Sequence, residues 1–290
     1  MIYPKVIALV TAYNAEGFII QTLESIVAQT YPNFEIILCD DCSPDNTFEI
    51  CQNFAKSYPN LTVLRNNKNL GWFSNSENLW RKGVELGEYC FLHPHDDILF
   101  PKFIGDQISV LLKNPEAVLS IPGMKNSGSS FLHDDSFCSE LSNISNPSKQ
   151  VLSLLNMQVT GWWAAYHGIH RSVIVKKILP VARLRIGHAE HMVDLLWLIK
   201  LSLFGQFIST NKILFQKNYN QKTLSASWDY KSKRNKMGLY LAVIELIVKS
   251  PISLTQKLKI GKKLMPSILG KLKSQLGSGL RIIIDRKVSN

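Results

Sequence analysis

The sequence predicts an α/β protein: a Rossmann-like, mixed but mostly parallel sheet flanked by helices, continued by a C-terminal helical extension. Three observations predict it. Between residues 5 and 121, short apolar runs alternate with segments of helical periodicity, the order expected when parallel strands are joined by crossover helices. Polar clusters at Thr11 to Asn14, Asp40 to Ser43 and His93 to Asp97 stand at the ends of apolar runs, where open parallel sheets bind their ligands. Beyond residue 221 the chain becomes lysine-rich, with apolar residues at helical spacing.

The elements follow in order. KVIALVT at 5–11 reads as a buried strand, after which Asn14 can cap a helix carrying Phe18, Ile19, Leu23, Ile26 and Val27. FEIILC at 34–39 is a second strand. Ser43, Pro44 and Asp45 then offer a capping hydroxyl, a proline at the first helical position and an acid in the first turn. A strand at 61–65, the loop NNKNLG, a helix over about 74–86 and a strand at 89–92 come next, then a helix from Pro101 to Lys113 and a strand at 117–121. Residues 122–150 are rich in Gly, Ser and Asn and read as a surface loop or flap. Helical patterns resume near Val151, a further polar cluster occupies 187–194, and lysine-rich helices beyond Trp228 break near Pro251, Pro266 and Gly277.

Composition bounds the function. With 290 residues, 46% hydrophobic and 19% charged, the chain can bury a full core. Cys39, Cys42, Cys51, Cys90 and Cys138 are odd in number and scattered through apolar segments, which argues against a secreted disulfide framework and for a reducing, cytoplasmic setting. No apolar run reaches the ~18 residues that span a bilayer, and the first residues lack the basic flank and apolar length of a signal peptide. From Gln221 onward there are 15 Lys/Arg and 3 Asp/Glu, against 18 and 19 in the rest. The net charge of +11 therefore belongs to the tail, and such a block meets anionic surfaces.

Two pairs of acids carry the chemistry. Asp40 and Asp41 close a strand, and a carboxylate there can accept a pyrimidine imide N–H or ribose hydroxyls, or else cap the next helix. Tyr13, at the end of the adjacent strand, could lie on a base. Asp96 and Asp97 end the run YCFLHPH; adjacent carboxylates stay ionised beside a cation, and oxygen ligands suit Mg²⁺ or Mn²⁺ on a diphosphate. The bland alternative is a solvated turn before Pro101.

Together, VIALVTAYNAEGFIIQTLESIVAQTYPNFEIILCDDCSPDNT, NKNLG and GEYCFLHPHDDILFP resemble the family-two inverting glycosyltransferases with the A-type fold, over about residues 3–105. The resemblance implies that Thr11 and Tyr13 border the base of a nucleotide-sugar donor, that Asp41 reads its imide with Asp40 beside it, and that Asp97, a metal ligand, with the donor-binding Asp96 nearby, faces ribose and metal. The family usually has glycine where Cys42 stands, and an Asp-rich cluster where His93 and His95 precede Asp96; an imidazole such as His95 could join the metal shell and favour Mn²⁺. GHAEHMVDLLWLIKLSLFG resembles the family's second-half motif, with Asp194, Lys200 and Gly205 at matching spacing. Asp194 then becomes the catalytic base, with Glu190, one helical turn earlier, as second choice. GWWAAYHGIHRS places Trp162, Trp163 and His167 where the family builds its acceptor side; aromatic faces stack on sugars, although of two adjacent tryptophans one belongs to the core.

Three competitors are weaker. Cys39, Cys42, His93 and His95 have zinc-ligand types, but Cys39 belongs to an apolar strand. A nucleotidyltransferase would carry a glycine- and basic-rich phosphate loop after the first strand, and TAYNAEG is not one. A nucleic-acid binder would interleave aromatics with the tail's charges beyond Trp228, Tyr230 and Tyr240. The expectation is a catalytic domain over 1–220, with a nucleotide-binding half at 1–121 and an acceptor half at 122–220, and a basic helical tail at 221–290. It would move a sugar from a UDP- or dTDP-sugar to a hydroxyl of a glycan or lipid-linked glycan in bacterial surface polysaccharide synthesis. The tail, as in KLKIGKKLMPSILGKLKSQL, could rest on an anionic membrane at the inner face of the cell or pack on the catalytic domain.

Overall fold

The computed structural model describes residues 3–128, 135–136, 139–142, 144–155, 161–219, 229 and 231–266. Cys138, Trp228, Tyr230, the break near Gly277 and the segment 267–290 lie outside the described residues. The sheet is built from β1 (Val6–Ala12), β2 (Phe34–Asp40), β3 (Leu61–Arg65), β4 (Tyr89–Pro94), β5 (Ile98–Leu99), β6 (Ala117–Ser127), β7 (Asp135–Ser136), β8 (Ile169–Arg171) and β9 (Gln206–Asn218). Their order is β3-β2-β1-β4-β8-β6-β9-β5, with β7 on β6. β3, β2, β1 and β4 run parallel, as do β6 and β9, while β8 and β5 pair antiparallel with their neighbours. The expected mixed, mostly parallel sheet is the one observed.

β1 is the central strand, and Val6 to Val10 are wholly buried, which is why its sequence is a continuous apolar run rather than an alternating one. Helices α1 (Ile19–Val27), α2 (Thr47–Ala55), α3 (Trp72–Leu86) and α4 (Phe103–Lys113) cross between the first strands. α1 turns Ile19, Leu23 and Ile26 inward; α3 turns in Phe73, Leu79, Trp80 and Val84. Gly83 lets α3 approach β1: a Cβ there would stand 3.0 Å from Leu9. Arg171 ties the middle of the sheet together, donating to the Tyr89 hydroxyl and to the carbonyls of Ala117, Leu111 and Asn114.

Several boundaries differ from the sequence reading. α1 begins at Ile19, and Asn14 is not its cap: it stands in the left-handed region at φ 51° and donates its amide to Ser43 Oγ at 3.0 Å. α2 begins at Thr47, three residues after Pro44, because Ser43, Asp45 and Thr47 spend their side chains on the loop at 14–16 instead. β6 runs on to Ser127, and α5 (Pro147–Leu155) starts before Val151, so the segment read as a loop at 122–150 carries regular structure at both ends. β9 was not anticipated.

α6 (Ser172–Ile178), α7 (Val193–Ser202) and α8 (Lys233–Lys249) complete the second half, with a further helix at 254–266. The basic tail does not hang free where it is described. α8 packs on α7, burying Leu239, Ala242, Val243 and Ile247, and Gly238 is needed because any Cβ would run into the Ile186 carbonyl. No helix among the described residues is long and apolar enough to cross a membrane.

Candidate active site

Register brings the polar clusters together. Ala12 is level with Asp40, and Thr11 with both Cys39 and Pro94, so the three strand ends that the sequence marks form one edge. Thr11 is 4% exposed and its carbonyl accepts from His95 Nδ1 at 3.0 Å; Tyr13, just past the strand, is 42% exposed with its ring open to solvent.

Asp40 and Asp41 part company there. Asp40 is wholly buried, accepts from the Ser43 hydroxyl and amide, and meets Arg65 Nε at 3.3 Å. It therefore braces the turn rather than facing a ligand. Asp41 turns the other way and gathers the loop 66–71: Oδ1 accepts from Asn66 Nδ2 at 2.7 Å and the Leu70 amide at 2.9 Å, Oδ2 from the Gly71 amide at 2.9 Å. Oδ2 keeps a further acceptor direction. Between Asp41 and Ser43 the chain passes through Cys42 at φ 59°. The backbone is thus left-handed where the family has glycine, and the cysteine costs about 1 kcal/mol rather than nothing.

The second acidic pair is likewise divided. Asp97 is wholly buried: Lys217 Nζ donates to Oδ2 at 2.9 Å and the Asn218 amide to Oδ1 at 2.9 Å. Burial alone would lower the Lys217 ammonium's pKa, but Asp97 and Asp96 raise it. Asp96 is half-buried, and its carbonyl accepts from Asn218 Nδ2 at 2.7 Å. His93 points Nε2 at the Asp97 carbonyl, 3.1 Å away, and burial lowers its pKa to about 4, so it is neutral. His95 stacks on Phe18 at 5.3 Å, with Nδ1 committed to Thr11. Asp97 and His95, read as metal ligands from sequence, are placed as internal braces. Lys217 was missed, since a lysine 120 residues away in an unmarked stretch carries no motif.

The opposite wall is a short 3-10 helix, Trp162–His167. Trp162 is 8% exposed and belongs to the core, whereas Trp163 is half-buried, its indole donating to the Tyr219 hydroxyl at 3.2 Å. Tyr166 sits between Trp72, Trp80 and Trp197, with ring centroids 6.1–6.5 Å apart. Its phenol is raised by burial first and by Asp194 in addition. His167 donates Nδ1–H to the Leu92 carbonyl at 3.2 Å; burial and Lys217 lower its pKa to about 3. This helix packs against both α7, which carries Asp194, and β4, which leads to Asp96.

Asp194 is in the first turn of α7, after Met192 at φ 55°. Its Oδ1 accepts from the Leu195 amide at 2.9 Å, and burial raises its pKa to about 6. Glu190 is not on the same helical face, because α7 starts at Val193 and residue 190 lies in the turn before it. Glu190 Oε1 instead stands 3.4 Å from where a Cβ on Gly71 would be, beside the loop held by Asp41. Lys200 points away, donating to the carbonyls of Ile178 and Pro180. Gly205 matters sterically: a Cβ there would come within 2.5 Å of Val118.

The profile of the family described as glycosyl transferase family 2 matches residues 7–174. The chain belongs to that family. Its sheet resembles S. aureus TarS 1–349 in complex with UDP-GlcNAc, with a TM-score of 0.68 at 18% identity over 88% of this chain and 70% of that one, a likeness of fold. Among relatives, glycosyltransferase EpsE of Bacillus subtilis is 34% identical over 111 residues, 38% of this chain and 40% of EpsE. The minor teichoic acid biosynthesis protein GgaB of the same organism is 37% identical over 86 residues, 29% of this chain and 9% of GgaB. The chain thus aligns with well under half of either relative.

A family 2 glycosyltransferase of this fold implies a divalent ion, and the side chains permit one arrangement of it. Among the described residues no three His, Cys, Asp or Glu side chains gather to hold a metal, and Asp97 is already matched by Lys217. Asp96, half-buried, is the other carboxylate at that edge. This donor set fits an ion that takes one carboxylate and completes its shell with diphosphate oxygens and water, as Mg²⁺ commonly does, not a preformed protein cage.

Proposed function

We propose that this family 2 glycosyltransferase moves a sugar from a UDP- or dTDP-sugar to a hydroxyl of a glycan or lipid-linked glycan, with inversion, in building a bacterial surface polymer. The observation that carries it is Asp194: a carboxyl whose pKa is raised to about 6 by burial, in the first turn of α7, the helix that packs on the Trp162–His167 segment. A base of that strength near neutral pH can remove the acceptor hydroxyl proton as the oxygen attacks the anomeric carbon. The base ring lies on Tyr13 and the imide N–H is accepted by Asp41 Oδ2. Asp96 holds a divalent ion, Mn²⁺ or Mg²⁺, that neutralises the leaving diphosphate when bound. Lys217 keeps Asp97 in place behind it, and Trp163 offers its exposed edge to the acceptor sugar. Glu190, beside Gly71, bounds the donor pocket rather than taking the proton.

Titration calorimetry with UDP, dTDP, GDP and ADP, with and without Mn²⁺, tests this reading. Pyrimidine nucleotides should bind best, Mn²⁺ should strengthen them, and Asp96→Ala should abolish the Mn²⁺ effect while Asp41→Asn weakens the pyrimidine preference. Equal affinity for all four, or an Mn²⁺ effect untouched by Asp96→Ala, would overturn it.

A further inference from the structure

We infer that the outer faces of α8 and of the helix at 254–266 form a docking surface for an anionic lipid bilayer. α8 is apolar on two opposite sides. Leu239, Ala242, Val243 and Ile247 are buried against the body, while Leu241, Ile244 and Val248 are 45%, 36% and 64% exposed; at 3.6 residues per turn the two sets lie on opposing faces. The second helix repeats the pattern, with Ile260 and Leu264 buried and Leu254, Leu258 and Met265 exposed at 71%, 57% and 45%. Residues 254, 258 and 265 fall on one stripe. Two successive helices that each bury one apolar side and present another to water mark a surface meant to be covered.

Charge identifies what covers it. Residues 231–266 contain nine Lys/Arg and a single acid, Glu245, and that acid is already paired with Arg185 and Lys249 at 2.7 and 2.6 Å. By helical spacing Lys257 and Lys262 flank the 254–258–265 stripe on its two sides, with Lys259 beyond. Lys257 Nζ donates to the Val248 carbonyl at 2.6 Å, which joins the second helix to the end of the first. Leucine, isoleucine and valine can enter the acyl boundary while lysines stay among anionic headgroups, the arrangement of an in-plane amphipathic helix. A protein partner would need matching acids; a bilayer needs only its own charge.

The consequence for catalysis rests on the reading of Asp194, although the binding does not. α8 lies directly on α7, whose first turn carries Asp194. A bilayer on the outer side of α8 would be about two helix diameters, ~20 Å, from that carboxylate, within reach of an acceptor hydroxyl carried on a membrane lipid.

Sedimentation of the full chain with phosphatidylcholine vesicles, with and without phosphatidylglycerol, over a range of NaCl tests the surface. The protein should pellet with the anionic vesicles and be released by salt. Ile244→Ser with Val248→Ser and Leu258→Ser should weaken partition by at least about tenfold. Lys259→Glu with Lys262→Glu should weaken it by at least about fivefold per lysine and flatten the salt dependence. All these positions are exposed, and circular dichroism should show both variants folded. Equal binding to uncharged vesicles, or unchanged binding of both variants, would overturn the proposal and move any attachment to residues 267–290. A dimer split by the serine variant, with no vesicle binding in either form, would make the face a contact between copies of the chain and overturn it too.

Discussion

Asp97, just before β5, and Asp194, in the first turn of α7, are both acids at strand or helix ends; Asp97 is wholly buried and Asp194 half-buried. Asp97 meets Lys217 and the Asn218 amide, each at 2.9 Å. Asp194 receives the amide of Leu195 and makes no ion pair among the described residues. A buried carboxylate with a cation beside it keeps its charge and becomes a fixed strut; one without is drawn toward its protonated form and becomes able to exchange a proton. The same residue type is therefore a fixed strut at position 97 and, on the proposed reading, the proton acceptor at position 194.

The largest expected effect is on turnover. Asp194→Asn keeps the Leu195 bond and loses the ability to take a proton, so kcat should fall by roughly 10²–10⁴ with nucleotide affinity unchanged. Glu190→Gln should leave kcat within a few-fold while altering KM for the donor, in steady-state assays. A large loss at Glu190 with near-normal Asp194→Asn would move the base to the turn beside Gly71.

The next effect is on stability at the Asp97–Lys217 pair. Lys217→Met leaves the Asp97 charge buried and unmatched, at a cost of about 3–5 kcal/mol in urea unfolding. Adding Asp97→Asn to it should recover most of that loss. If Lys217→Met alone is tolerated, Asp97 reaches water or a metal, and its likeness to a strut fails.

A smaller effect, with opposite sign, is expected at Asp194. Its folded pKa of about 6 stands above the ordinary 3.8, so between these values the folded state binds more protons than the unfolded one and stability falls as pH rises. Asp194→Asn should therefore stabilise by about 1–2 kcal/mol at pH 7–8 and by almost nothing near pH 4, a trade of stability for function. In the unsubstituted enzyme kcat/KM should climb with pH through an inflection near 6. Flat thermal midpoints for this pair of proteins across pH would show that Asp194 titrates normally.

The smallest effect is Cys42→Gly, which relieves a left-handed cysteine at φ 59° and should add about 0.5–1 kcal/mol by thermal unfolding. It should leave the Asp41 hydrogen bonds, and hence nucleotide binding, as they are.

The donor half was legible because its signals are local. Each strand of 5–11, 34–39, 61–65 and 89–92 is a short apolar run, and each polar cluster immediately follows its run. Both acidic pairs, Asp40–Asp41 and Asp96–Asp97, could be singled out from such neighbourhoods, and Asp194 from the resemblance of its segment to the family's second-half motif. The caps could not: Ser43 and Thr47 accept from the amides of Asn14 and Ala15, about 30 residues away, whereas local capping rules assign Asn14 and Ser43 to the helices they precede.

What the sequence by itself determined is the α/β alternation, the strand ends that carry the polar clusters, and the placing of basic charge in the last third, because periodicity and composition act over a few neighbouring residues. Tertiary structure alone decided which acid of each pair is buried against a cation. It turned Asp40 to Arg65 and Asp97 to Lys217, and laid α8 on α7. Those outcomes depend on strand register and on contacts between residues up to 120 positions apart, and a carboxylate's charge state is set by the dielectric and the partners that packing brings to it.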